Sequence, residues 1–158
     1  MRERRELPLI GWREWIALPA FGIPRIKVKV DTGARSSALH AFDIEPYRAR
    51  GRDWVRFKVH PVQRAATPEH VVEAPLVAHR RVRNTSGRAE LRPVVMTTIA
   101  LLGREWPIEL TLASRDQMGF RMLLGRQAVR HRFHVDPSAS YFGGRPKRKK
   151  KKTKEKRK

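Results

Sequence analysis

The sequence predicts an all-β domain, and three observations predict it. Apolar residues recur at every second position through most of the chain. Glycine-centred turn signals separate those runs, and only one short stretch near the C-terminus has helical spacing. Many short strands at fairly regular spacing are the signature of a closed barrel or a sandwich.

The elements follow in chain order. Residues 12–18 read as a first strand. Residues 25–30 alternate cleanly, with Ile26, Val28 and Val30 on one face and Lys27 and Lys29 on the other. Residues 54–59, 70–77, 91–101, 105–112 and 120–124 continue the pattern. Turns are expected at Phe21-Gly22, Arg50-Gly51, Ser86-Gly87 and Leu102-Gly103. Residues 126–132 form the single short helix. There is no internal repeat. At Gly143-Gly144-Arg145-Pro146 the composition changes, and residues 147–158 contain no apolar side chain. The expected organisation is therefore a folded domain over 1–142 and a disordered basic tail over 143–158.

Length and charge bound the rest. A chain of 158 residues suits one domain with a real core. It carries 36 Lys and Arg against 15 Asp and Glu, a net charge of +21. Eleven of the basic residues and one acid lie in 143–158, which leaves 25 and 14 in the body, so the body is basic in its own right. Such a surface attracts acidic partners: RNA, an anionic membrane surface or an acidic peptide. With no cysteine, disulfide scaffolds, thiolate zinc sites and cysteine nucleophiles are excluded. The charged residues 1–6 lead into strand-like sequence without a signal peptide, and no apolar run is long enough to span a bilayer. A soluble cytoplasmic protein without membrane association is expected.

The segment that carries chemistry is Val28-Lys29-Val30-Asp31-Thr32-Gly33-Ala34, a strand that runs into Asp-Thr-Gly. Far downstream stands Met122-Leu123-Leu124-Gly125-Arg126, two apolar residues followed by Gly and Arg. Asp-Thr-Gly alone is weak evidence, because an aspartate before Thr-Gly also closes ordinary turns. The two elements together resemble retroviral-type aspartic peptidases. The wider run from Ile10-Gly11-Trp12 through Arg35-Ser36-Ser37-Ala38-Leu39-His40-Ala41, with 83–87 and Arg92-Pro93-Val94, resembles a bacterial retropepsin-like family. That family is often labelled "ATP-dependent zinc protease" and is associated with RimK-type ligases that add glutamates to protein chain ends.

The resemblance implies a retropepsin-like closed β-barrel and an aspartic-type hydrolase. Two carboxylates roughly 3 Å apart share one proton, so one is base and the other acid. This chain has one such motif, so the second Asp31 is expected from a second subunit of a homodimer. Thr32 would hydrogen-bond across the two-fold axis, and Gly33 would allow close backbone approach. Ala34, Leu123, Leu124, Gly125 and Arg126 would support the site, with Leu123 and Leu124 as its apolar floor. The hairpin Arg83, Asn84, Thr85, Ser86, Gly87 and Arg88 is the candidate flap. Its arginines, with Arg81 and Arg92, would suit an acidic substrate such as a glutamate tail. The competing reading of those arginines is a solvated hairpin edge.

Two departures from the family pattern stand out. Where retroviral enzymes place an acidic partner for the arginine of the Gly-Arg element, this chain has Arg35, so Asp43 and Asp116 become the candidate partners of Arg126. The stretch between Gly33 and Leu123 is also longer than a minimal retropepsin needs. Neither zinc nor ATP is expected as a cofactor. The six histidines include no His-Glu-x-x-His, His131 and His134 have no evident third ligand, and there is no phosphate loop ending in Gly-Lys-Ser/Thr. The alternative to a peptidase is a non-catalytic basic barrel that binds RNA or a ribosomal partner. In either case residues 145–158 are expected to make nonspecific polyanion contacts.

Overall fold

The computed structural model describes residues 6–62, 66–83, 86–114 and 119–146. Within them the chain forms strands β1 (Leu9–Gly11), β2 (Arg13–Leu18), β3 (Ile23–Asp31), β4 (Ser37–His40), β5 (Phe42–Ala49) and β6 (Arg52–Val59). Strands β7 (His70–Arg83), β8 (Ala89–Leu101), β9 (Arg104–Ala113) and β10 (Met122–Gly125) follow, then a one-turn helix, α1 (Arg126–Val129), and β11 (His134–Asp136). The protein is mostly β with one short α-helix, as the alternation predicts.

Nine strands form one mixed sheet in the order β2-β3-β10-β4-β9-β8-β7-β6-β5, and β2 meets β8 again. The first six therefore close into a ring, and β7, β6 and β5 extend from it. The ring is uneven. The β8–β9 ladder runs from Val94–Thr111 to Leu101–Arg104, whereas β2 touches β8 at the single pair Ala17–Ala100. Two hairpins turn on positive-φ pairs, Arg50-Gly51 and Leu102-Gly103, the geometry that suits the right-handed twist of the flanking strands.

The core fills the ring. Ile26, Val28 and Val30 of β3 face inward with Ile16 and Leu18 of β2, Leu110 and Leu112 of β9, and Met122 and Leu124 of β10. Each such side chain taken from water contributes roughly 1.5–3 kcal/mol. That energy holds the register of β3 and so fixes where its last residue, Asp31, emerges.

Several strands escape the sequence pattern for identifiable reasons. All four residues of β4 are buried, because it lies between β10 and β9, so no alternation marks it. Strand β5 is the sheet edge, where Pro46 is tolerated because no outer neighbour needs its missing N–H. Strand β7 runs on from Val77 to Arg83 through largely exposed residues, paired with β8 but barely patterned. The helix is shorter than expected, ending at Val129.

A buried carboxylate ties the chain ends together. Glu14 is fully buried; its Oε2 accepts from the Gly11 N–H at 2.7 Å and the Phe142 N–H at 3.0 Å, and its Oε1 accepts from the Gly143 N–H at 3.0 Å. Packing thus reaches Gly143, one residue past the expected domain limit. The tail residues 147–158 lie outside the described residues.

Candidate active site

Asp31 sits where three strands meet. Strand β10 runs parallel to β3, with Gly125 opposite Asp31, and antiparallel to β4, with Met122 opposite Leu39. Because β10 lies between β3 and β4, the loop joining those two strands must cross over the end of β10. Gly125 makes the crossing possible, since a Cβ there would fall inside van der Waals contact of the Ser36 carbonyl and lie 3.1 Å from the Ala34 oxygen.

Hydrogen bonds fix the crossing. The Gly125 N–H donates to Ser37 Oγ at 3.0 Å in a buried contact. The Arg126 N–H donates to the Ala34 carbonyl at 2.7 Å and the Gln127 N–H to the Arg35 carbonyl at 3.1 Å. Donors at the start of α1, which have no partner within the helix, are thereby satisfied by the loop. Asp31 is half-buried, and its Oδ1 accepts from the N–H groups of Gly33 at 3.0 Å and Ala34 at 3.2 Å. Those two bonds hold one carboxylate oxygen against its own loop, while Thr32 and Gly33 stand exposed beside it.

The structure brings the predicted support residues together and separates two of them. Leu123 lines the cleft beside Asp31, whereas Leu124 faces the opposite way into the core, because successive strand residues point to opposite faces. Among the described residues Arg126 reaches a backbone oxygen of the Asp31 loop: its Nη1 donates to the Thr32 carbonyl at 3.0 Å. Asp43 does not take that role. It pairs with Lys58 at 3.1 Å across the β5–β6 hairpin. Asp116 lies outside the described residues.

A cleft of about 560 Å³ opens over Asp31, walled by Ala34 and Leu123 and by the arginine-rich stem of the β7–β8 hairpin. Arg80, Arg81 and Arg83 come from β7, Arg92 from β8 and Arg35 from the crossing loop. Arg80 pairs with Glu109 at 2.8 Å, and the buried Arg92 pairs with Glu90 at 3.3 Å. The candidate flap thus rises from the wall of the Asp31 cleft. Ser86, Gly87 and Arg88 lie at its described end, while Asn84 and Thr85 lie outside the described residues. Two residues here escaped the sequence reading. Nothing local marks Ser37 as the acceptor for Gly125, and only the Arg80–Arg92 cross-strand register puts Arg80 in the cleft. Among the described residues, no three His, Cys, Asp or Glu side chains converge as metal ligands.

Residues 9–146 match the family model described as RimB-like, the retropepsin-like aspartic endopeptidase RimB. The chain belongs to the RimB-like retropepsin-like aspartic endopeptidases. Curated relatives of this RimB-like chain include a "Probable alpha-L-glutamate ligase" of Shewanella pealeana, 44% identical over 136 residues. Another of the same description, from Parasynechococcus marenigrum, is 47% identical over 133 residues. The matched segments cover 86% and 84% of this chain, but the chain spans only 30% and 28% of those relatives. The RimB-like fold also resembles the crystal structure of Lpg0085, a protein of unknown function from Legionella pneumophila. That match has a TM-score of 0.74 and 27% identity, and it covers 87% of this chain and 99% of the other.

Proposed function

We propose that this RimB-like chain hydrolyses peptide bonds in acidic protein segments, glutamate tails in particular, as a homodimer that pairs two Asp31 carboxylates. The observation that carries the reading is the cleft itself. One carboxylate, Asp31, stands among five arginines, and Arg35, Arg81 and Arg83 have no acidic partner among the described residues. A polyanionic peptide would be drawn in and held by that charge. The relatives described as glutamate ligases supply the chemical context for a glutamate-rich substrate.

The mechanism needs a second carboxylate. One Asp31 cannot both take a proton from the attacking water and give one to the leaving amine, whereas two sharing a proton divide the work. Exposed Thr32 and Gly33 leave the loop accessible to a second copy related by a two-fold axis. In the dimer the ionised Asp31 would take a proton from water as oxygen attacks the scissile carbonyl. Its protonated partner would stabilise the developing oxyanion and then pass a proton to the amine.

Incubation of full-length protein and its Asp31→Asn variant with a polyglutamylated peptide, followed by mass spectrometry, tests the activity. Cleavage by the first alone is expected. Specific activity should rise with concentration where dimers are scarce. A flat dilution profile from a species shown to be monomeric would rule out the paired site.

A further inference from the structure

On the outer face of the β2–β3 hairpin, aromatic rings and cations alternate in contact. Lys27 Nζ lies 5.8 Å from the Trp15 ring and 5.5 Å from Phe120, and the Phe120 ring meets Trp12 edge-on at 6.1 Å. Arg13 stacks between Trp12 at 4.6 Å and Tyr141 at 4.9 Å, and Arg145 covers Tyr141 at 4.6 Å. The pairing register builds this face: Arg13 is opposite Lys29 and Trp15 is opposite Lys27, while the intervening Ile16, Val28 and Val30 face the core. At the far end of the row an open pocket of about 410 Å³ is lined by Trp15, Arg25 and Arg145. Peptidase chemistry makes no use of this surface. Arg25 stands six positions before Asp31 along extended β3, about 20 Å away.

We infer that this face binds single-stranded nucleic acid, with a base against Trp15 in the pocket and phosphates on Arg25, Lys27 and Arg145. Rings interleaved with cations are what a single strand requires, since its unpaired bases stack and its backbone is anionic. A membrane surface or an acidic peptide would match the charge but would leave the ring in the pocket without a planar partner. Position supports the same occupant. Pro146 lies on the rim of the pocket, and the 12 residues that follow contain ten Lys or Arg and one Glu, so the most basic part of the chain begins where the strand would lie.

The test uses the full chain and a labelled oligouridylate of about 12 nucleotides, within the site sizes seen for single-strand binders. Binding should be tighter for the single strand than for an RNA duplex of equal length. Trp15→Ala should weaken it about tenfold with an unchanged salt slope, and Trp15→Phe should restore it by keeping a ring. The Arg25→Gln, Lys27→Gln double variant should reduce the salt slope by about 1.4, at roughly 0.7 per lost phosphate contact. Both side chains point outward, so this variant keeps the test valid even where Trp15→Ala impairs folding. Equal or tighter binding of duplex would overturn the inference, as would displacement of the RNA by polyglutamate or phosphatidylglycerol vesicles at equal charge. Affinity and slope unchanged in both sets of variants would assign the binding to other basic residues and overturn it as well.

Discussion

Replacing Glu14 by glutamine tests how the two ends of the domain are held together. The carboxylate is fully buried and accepts three backbone N–H groups, two on Oε2 from Gly11 and Phe142 and one on Oε1 from Gly143. A glutamine has one accepting oxygen. Placed at the Oε2 position it keeps two bonds, but its amide then points donor-to-donor at the Gly143 N–H. That donor is only part-buried, so leaving it unsatisfied costs about 1 kcal/mol, and losing the charge on the two remaining bonds costs about as much again. The expected loss is about 2 kcal/mol for Glu14→Gln. For Glu14→Ala, which orphans all three donors and opens a small cavity, it is about 4 kcal/mol. In a domain of this size 2 kcal/mol lowers Tm by roughly 4–8 °C. Urea unfolding of the wild type and both variants gives the stabilities directly. If both variants fall within about 0.5 kcal/mol of wild type, or lose equal stability, the three-donor account of Glu14 is wrong.

Other expectations follow from the same contacts. Deleting 143–158 removes the Gly143 donor and strands Glu14 Oε1, so its Tm should fall below that of a protein lacking only 147–158. Thermal scans of the two truncations decide it. Gly125→Ala puts a methyl against the Ser36 carbonyl and should cost about 1–3 kcal/mol, with peptide cleavage down at least tenfold, because the clash lies under the Asp31 loop. Asp136 Oδ1 accepts from the Ser138 hydroxyl at 2.6 Å and the Ser138 N–H at 2.9 Å, which hold its carboxyl below the ordinary value of 3.8. A carboxylate depressed in the folded state adds stability above its unfolded pKa, and that stability is lost as pH falls through the lower folded value. Ser138→Ala should therefore destabilise the protein near neutrality. The difference from wild type should shrink below pH 3.8, as denaturation at several pH values would show.

Much of the fold was legible from residues alone, wherever a strand has one buried and one solvated face. Alternation is a local signal, so Ile26, Val28 and Val30 announced β3, and the glycine turns at 51 and 103 announced the hairpins. The Asp31 loop and the Leu-Leu-Gly strand were legible for the same reason, each being a short run with its own chemistry. Strands without contrast between their faces were not. All of β4 is buried and the far half of β7 is largely exposed, so neither shows a period to read, and in the edge strand β5 Pro46 cuts the alternation of Phe42 to Glu45 short. Only the tertiary structure could decide contacts between residues distant in sequence. Glu14 meets Phe142 and Gly143, Ser37 meets Gly125, Arg126 reaches the Thr32 carbonyl, and Arg80 joins Arg92 over Asp31. The sequence by itself determined which residues alternate, where the chain turns and that one Asp-Thr-Gly ends a strand. Which arginines surround that aspartate depended on strand order and register, because those are set by burying the whole core at once and leave no mark on any single segment.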